Sequence, residues 1–530
     1  MKSNVILLDC TMRDGGYVND WKFGSNAMTF IFDRLSRAGI EIIEAGFLDD
    51  RRKFDADRSI QPDTESFSKI LSKTESSNSM VTVMIDYGTC SLDNIQPCKD
   101  TLIDGIRVIF KKHNMENAVA YATALKKLGY QVFLNMVSIT SYTDYDILDF
   151  VKLVNELNPY TVSIVDTYGL MHKDELLHYY HILDRNLNSE ICIGYHAHNN
   201  FQLGYSNCIE LIRHSSNRKL IIDGTLYGMG KSAGNAPLEL LAMHLNEYYE
   251  GRYDLDQIME LIDVSIMPIY NEKYWGYTFQ YFVSAMNDCH PNYTKYLIDK
   301  KTLSMKSINQ ILSSIEEEQK LMFDTEYIEE HYMDYQKRFT AEVDNSCELS
   351  HIFENKNILL IGPGSTIKTQ SDRINKILAD EVLSVSINFI PSEYKPEYVF
   401  ISNSKRYFNT FNRVKGSDIK IIASSNITPV GEEFNYVLNY EDLIVKEDEI
   451  TENSLIMFLN YLKSVNLRRV LLAGFDGFTS DDLPNYYDDS MEMSQDYSSR
   501  KEFNKKMADK ISEFDKDLNI TFITDSLYEL

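Results

Sequence analysis

His196-x-His198 is the pair in this sequence whose types and spacing most clearly suit chemistry. It ends an apolar run, ICIGYHAH, over residues 191–198. Two residues apart on a strand, both imidazoles point to one side, so both can face one metal ion. A carboxylate stands ready after another apolar run, VILLDC (5–10), where Arg13-Asp14-Gly15-Gly16 follow. One carboxylate, Asp14, and two imidazoles leave coordination positions open for water or a chelating substrate. Paired strand-end histidines can also simply hydrogen-bond loop carbonyls. The company of Arg13, Asp14 and Asn235 at other strand ends favours the metal. Glu44, flanked by apolar residues in IIEAGF, is placed to hold Arg13 in a bidentate pair. Adjacent residues seldom point the same way, so Asp14 is expected to ligate while Arg13 does something else.

Such a set needs a scaffold that delivers strand ends to one place. Up to about residue 247, short apolar runs alternate with amphipathic stretches such as NAMTFIFDRLSRAG and YDILDFVKLVNEL. Near-continuous apolar runs are the pattern of strands buried on both faces of a parallel sheet. About eight such units predict an α/β fold, a (β/α)8 TIM barrel over residues 1–250, with its chemistry at the C-terminal strand ends. A doubly wound open sheet is the alternative. Asn135 on the fifth strand and Thr167 after the sixth are then candidates to orient a bound acid.

Residues 251–345 lose the strand signal and read as a helical extension that packs on the barrel or on a second subunit of a homo-oligomer. A linker is expected near Asp344–Ser350. Residues 350–530 start a second β-α series, a three-layer α/β domain with a Rossmann-like plan. Its first turn, with Gly362 and Gly364, offers a phosphate cradle for a nucleotide or sugar-nucleotide, or is only a tight turn. Assembly is the other role open to this domain.

The 530-residue chain carries a net charge of −26, which repels a nucleic-acid backbone. No apolar run is long enough to span a membrane. The N-terminus lacks a signal-peptide pattern, and seven scattered cysteines without a C-x-x-C pair suit reduced thiols. The expectation is a cytoplasmic protein.

LLDCTMRDGG, IEAGF, IVDTYGL, HAHNNFQLG and DGTLYGMGKSAGNAPLE together resemble the DRE-TIM metallolyase superfamily. That superfamily includes 4-hydroxy-2-oxoacid aldolases, hydroxymethylglutaryl-CoA lyase and the isopropylmalate and homocitrate synthases. The wording is most similar to the aldolase branch. The resemblance implies a divalent metal, Mn²⁺ or Mg²⁺ foremost with Zn²⁺ or Co²⁺ as alternatives, on Asp14, His196 and His198. It implies Asn235 as a further metal contact, Arg13 as the partner of an enolate oxygen and Glu44 as the residue that orients Arg13. One position departs from the aldolases: Tyr17 stands where they carry a histidine base. A phenol is a poorer base at neutral pH. Proton transfer therefore falls to Tyr17 or to another residue, with His290 a candidate to reach in from above; a helix-capping role is the plainer reading of His290.

The reaction this predicts is a class II aldol cleavage or formation next to a pyruvate enolate, on a small 2-oxoacid. The fifth and sixth strands, QVFLNMVS and TVSIVDT, hold no lysine for a Schiff-base aldolase. A Claisen-type acyl-CoA enzyme on the same scaffold, an iron oxygenase using the same ligand set, and a metal-binding regulatory protein with a degenerate barrel are the competing readings.

Overall fold

The computed structural model describes residues 4–72, 78–214, 218–300, 302–320, 323–338, 344–429, 434–445, 450–479, 486–487 and 497–529. The chain divides into two units, Met1–Thr294 and Lys295–Leu530. In the first, the apolar runs form β1 (Val5–Asp9), β2 (Ile42–Leu48), β3 (Met80–Asp86), β4 (Gly105–Phe110), β5 (Gln131–Met136), β6 (Thr161–Asp166), β7 (Cys192–Ala197) and β8 (Leu220–Gly224). All pair in parallel in chain order. β1 pairs with β2 through Leu8↔Ile42 and Asp9↔Ile43, and with β8 on its other edge. Pairing on both edges of β1 closes the sheet into a (β/α)8 barrel and excludes the open doubly wound alternative. A two-residue strand, Ile60–Gln61, also pairs with β2.

Strand periodicity sorts the side chains. Leu7, Ile43, Val83, Ile106, Leu134 and Ile222 point outward into the core under the helices. Leu8, Ile42, Phe133, Cys192 and Ile221 face inward and form an apolar plug. Two residues beyond three of these plug positions, the same inward faces carry Glu44, Asn135 and Asp223, all buried. The barrel therefore changes from oil to charge within one step of the pleat.

Helices Leu255–Leu261, Met267–Glu272 and Phe279–Met286 complete the first unit after the barrel. Trp275, only 4 % exposed, donates its indole N–H to the Tyr227 carbonyl at 3.0 Å and so props the loop after β8. No helix among the described residues is long and apolar enough to cross a membrane. All seven cysteines are free thiols.

The second unit contains one parallel sheet of β9 (Asn357–Ile361), β10 (Leu383–Ile387), β11 (Tyr398–Ile401), β12 (Lys420–Ser424), β13 (Tyr436–Leu438), β14 (Arg469–Ala473) and β15 (Ile520–Phe522). The order is β13-β12-β11-β10-β9-β14-β15, so the winding reverses between β9 and β14. The three-residue edge strand β13 was not legible in the sequence. The segment expected to be a linker is instead a helix, Ser346–Phe353, because Leu349 and Phe353, four residues apart, both bury fully in this unit's core.

Gly46 marks where β2 departs from regular pairing, between Glu44 and Phe47. Its φ is +155°, and a Cβ there would overlap the Ser59 carbonyl. Gly46→Ala is therefore expected to destabilise the protein by about 1–3 kcal/mol or more. A urea melt that matches the unsubstituted protein would show that β2 needs no glycine.

Candidate active site

The site begins where β1 stops. The Asp9 carboxylate accepts the Thr11 N–H at 3.1 Å and the Thr11 hydroxyl at 2.7 Å, which winds Thr11–Asp14 into a helical turn. In this turn Arg13 and Asp14 do meet, although adjacent residues were expected to point apart. The guanidinium folds back, donating Nη1–H to Asp14 Oδ1 at 2.6 Å and Nε–H to Glu44 Oε2 at 2.8 Å. Gly16 is required for a close approach, since a Cβ would collide with the Trp21 indole. That indole donates to the Arg13 carbonyl at 2.9 Å and pins the turn.

From Glu44 the contacts continue across the barrel. Glu44 Oε2 accepts Arg107 Nη1–H at 2.9 Å, and Arg107 Nη2 donates to Asp223 Oδ2. Asp223 Oδ2 lies 2.9 Å from His196 Nδ1. This contact places a proton on Nδ1 and leaves Nε2 for a ligand's role. A buried chain of alternating charge thus runs Asp14–Arg13–Glu44–Arg107–Asp223–His196. Burial opposes ionisation of Asp14, but Arg13, ahead of His198, His196 and the Asn235 amide, holds its carboxyl well below the usual range. Burial also opposes ionisation of Asp223, and Arg107 with His196 wins there, keeping it a carboxylate.

His198 lies beside the end of this chain. Ligand atoms of Asp14, His196 and His198 fall within 4.8 Å of one another, and all three residues are buried. Burial lowers the His198 pKa to about 4, against the pull of Asp14, so the imidazole is neutral at pH 7. Asn235 is held at their side by a β-bridge to His198, and its amide donates to Asp14 Oδ2 and to the Met229 carbonyl. The buried atoms without a hydrogen-bond partner among the described residues include Glu44 Oε1, Asn135 Oδ1, His198 Nδ1, Asp223 Oδ1 and Asn235 Oδ1 at this end of the barrel, together with one guanidinium donor, Arg107 Nε. Four of these acceptors are carbonyl or carboxylate oxygens and one is an imidazole nitrogen. Buried lone pairs without donors are costly, and a cation with its ligands is what such a set can accept. The donor set fits a divalent metal.

The mouth is lined by residues from several loops. Tyr17 is 44 % exposed on its outer side, yet burial on the barrel side, with Asp14 near, pushes its phenol up to about 12. His290 Nδ1 accepts the Asn292 N–H at 3.2 Å, a capping contact, and burial lowers its pKa to about 4. Thr167 Oγ1 accepts the Ser138 N–H at 2.7 Å, which ties the loops after β5 and β6 together. Asn135 lies deeper, with its carbonyl oxygen unpaired.

Gly362 and Gly364 occupy the turn after β9, at the reversal point of the second sheet. Their amides donate to the Ala473 and Gly474 carbonyls at 2.7 and 2.8 Å. The Asp476 carboxylate accepts the Thr366 N–H at 2.8 Å, the Ser365 hydroxyl at 3.2 Å and the Thr366 hydroxyl. A phosphate at this turn would meet a carboxylate already in its place.

Arg107, Asp223 and Lys231 went unrecognised in the sequence. The first two had a signal: a charge inside an otherwise apolar strand, GIRVIF and LIIDG, in step with an inward-facing neighbour.

A closed parallel barrel with this carboxylate–imidazole set and a buried Arg–Glu pair at its C-terminal mouth defines a carbon–carbon lyase barrel of the DRE-TIM type. Residues 4–264 match the HMGL-like family model, and the barrel belongs to that family. The chain is similar to the 4-hydroxy-2-oxovalerate aldolase of Marinomonas sp., with 28 % identity over 277 residues, 51 % of this chain and 80 % of the relative. The aldolase of the same name from Pseudoalteromonas translucida is 26 % identical, covering 51 % of this chain and 77 % of its own. A solved N-terminal domain described as that of an aldolase, from Bacteroides vulgatus, is 25 % identical with a TM-score of 0.48, covering 57 % of this chain and 99 % of that one.

Asp223→Asn keeps the shape but weakens the grip on His196 Nδ1 and on Arg107. Mn²⁺ affinity, read by titration with electron paramagnetic resonance, is expected to fall about 10–100-fold. An unchanged affinity would detach Asp223 from the metal site.

Proposed function

We propose that the barrel is a class II aldolase that cleaves or forms the C3–C4 bond of a 4-hydroxy-2-oxoacid, one product being pyruvate. Asp14, His196 and His198 would hold a divalent metal, Mn²⁺ or Mg²⁺ foremost, with Asn235 alongside. The observation that carries this reading is the cluster of orphaned lone pairs around Asp14, at the end of a charge chain that also presents an arginine. The names of the relatives support the same chemistry.

The metal, when bound, supplies Lewis-acid polarisation of the substrate's keto group. Arg13 does the rest of the charge stabilisation. Glu44 and Asp14 fix its Nε and Nη1, and Nη2 has no partner among the described residues. That free edge is positioned for the oxygen that turns from ketone to enolate. In cleavage the C3–C4 electron pair moves into C2–C3, negative charge reaches the former keto oxygen, and the 4-hydroxyl gives up its proton as C4 becomes an aldehyde carbon. Burial of Arg13 opposes its charge, but Glu44 and then Asp14 keep it firmly protonated, so it stabilises by charge and does not donate its proton. Asn135 is placed to orient the acid. At the mouth the Tyr17 phenol oxygen would accept the 4-hydroxyl proton as its own O–H proton passes to solvent on the exposed side, and the enolate would take its proton at C3 from solvent; His290, its Nδ1 lone pair engaged by the Asn292 N–H, can only donate a hydrogen bond there.

Pyruvate release from 4-hydroxy-2-oxopentanoate, coupled to lactate dehydrogenase, is the direct assay. It should require Mn²⁺ and should fall at least about a thousandfold in Asp14→Ala and His198→Ala, which remove ligands outright. Full activity in excess chelator would sink this reading. A second outcome concerns pH. His290, lowered to about 4, takes up a proton only below that value, so it contributes no limb to the rate profile between pH 5 and 9. A limb near pH 6.5 that vanishes in His290→Gln would put the base on His290 instead of Tyr17.

A further inference from the structure

Lys231 is the cation of the mouth that no role above uses. It sits in Gly228-Met229-Gly230-Lys231-Ser232-Ala233-Gly234-Asn235, the loop after β8. Its backbone N–H donates to Asp14 Oδ2 at 3.3 Å, which fixes the residue beside the ligand set. The side chain then runs outward and places Nζ 5.6 Å from the centre of the Tyr17 ring. Apart from that ring, the ammonium has no hydrogen-bond or ion-pair partner among the described residues. Burial depresses its pKa, opposed by Asp14 and aided by Lys111. Lys231 and Lys111 also both depress His290, so the three groups share one mouth.

A lysine partly withdrawn from water without a carboxylate partner carries an uncompensated charge. It becomes favourable when an anion arrives and is bound in the same low-dielectric space. On the reading above, the substrate's own carboxylate end is engaged deeper, with the metal ligands and Arg13. The Lys231 ammonium lies on the Tyr17 side, where the 4-hydroxyl and the departing aldehyde would be. Lys111 acts on Asp86 as well and is exposed. That leaves Lys231, half-buried, as the one unpaired positive charge at the mouth among the described residues, which matches a single negative charge better than a dianionic phosphate. A lysine binds it as a point charge, without the fork an arginine offers.

We infer that Lys231 makes this site selective for 2-oxoacids that carry a second carboxylate on the aldehyde side of the cleaved bond. The inference rests on the aldolase reading for its geometry but is tested by binding, not turnover. The probes are 2-oxoglutarate and 2-oxopentanoate, which have the same chain length and differ in the terminal carboxylate. Their affinities are measured calorimetrically on the full chain loaded with Mn²⁺, for the unsubstituted protein, K231M and K231R.

The expected result is 2-oxoglutarate binding at least tenfold tighter than 2-oxopentanoate. K231M should bring the two within about twofold by weakening only the dicarboxylate, and K231R should keep most of the preference. Equal affinities in the unsubstituted protein overturn the inference. So does K231M weakening both probes alike, because Lys231 would then serve the part of the substrate they share. If the preference and its loss in K231M are seen but no 4-hydroxy-2-oxoacid releases pyruvate, the inference stands and the aldolase reading falls. If neither probe binds, both fall.

Discussion

The site depends on a guanidinium at the centre of the barrel. Arg107 reaches from β4 to Glu44 on β2 and Asp223 on β8, and through them to Arg13, Asp14 and His196. Its side chain is 1 % exposed, so its charge has no solvent to fall back on. Removing one member of such a buried chain leaves its neighbours ionised and unpaired, which typically costs about 3–5 kcal/mol. The chain is thus self-enforcing: each carboxylate keeps the next arginine, and each arginine the next carboxylate. Three carboxylates, Asp14, Glu44 and Asp223, stand against two guanidiniums, Arg13 and Arg107, with the His196 imidazole at one end. The apolar plug of Leu8, Ile42, Phe133, Cys192 and Ile221 closes the cavity from beneath and raises the strength of every contact above it.

This arrangement explains what the sequence could and could not disclose. Strand ends were legible because apolar runs stop there, so Asp14, Glu44, His196, His198 and Asn235 stood out, and the structure brings them together. Arg107 and Asp223 were hidden because they lie inside apolar runs, where a charge reads as an exposed edge position. Their parity with Ile221 and Phe133 carried the information, but parity matters only once the barrel is known to be closed. The orientation of Arg13 toward Asp14 was misread for a related reason. The stretch after the strand was read as a loop in which neighbours point apart, whereas Asp9 turns the chain into a helix within two residues. In the second unit β13 and the helix Ser346–Phe353 were missed because each is short and owes its form to burial against the sheet.

The loop after β8 shows a different kind of illegibility. Tyr227, Gly228, Ser232 and Gly234 all take positive φ, between 54° and 81°. For Tyr227 and Ser232 this is strained backbone that only surrounding contacts can maintain. Trp275 holds the Tyr227 carbonyl, Asn199 donates to the Gly234 carbonyl at 2.9 Å, and Asn200 Oδ1 accepts the Ala233 N–H at 3.0 Å. The strain delivers two residues at once: Asn235 to His198, and the Lys231 amide to Asp14. A Cβ at Gly230 would collide with the Asn235 amide and crowd Asp14 Oδ2, so the glycine there clears space for the ligand set. Glycine spacing suggests a turn; it does not say which side chain the turn presents.

The turn at Gly362–Thr366 and the mouth of the barrel treat their polar groups in opposite ways, and this separates a turn from a site. A helix start after a glycine turn favours an anion, and at Gly362–Thr366 that demand exists. It is met from within: Asp476 supplies the carboxylate, and burial raises its pKa against the three donors that surround it. Gly364 has no room for a Cβ because that carboxylate is already there. The donors are spent, so the glycines are explained by packing alone. In the barrel the imbalance runs the other way. Acceptors at Asn235, His198, Asn135 and Glu44 are buried with no donor among the described residues. Other buried atoms also lack partners among these residues, Ser386 Oγ and Arg500 Nε in the second unit included, so what marks the site is the chemistry of the set beside Asp14: carboxylate, amide and imidazole lone pairs that a cation can accept.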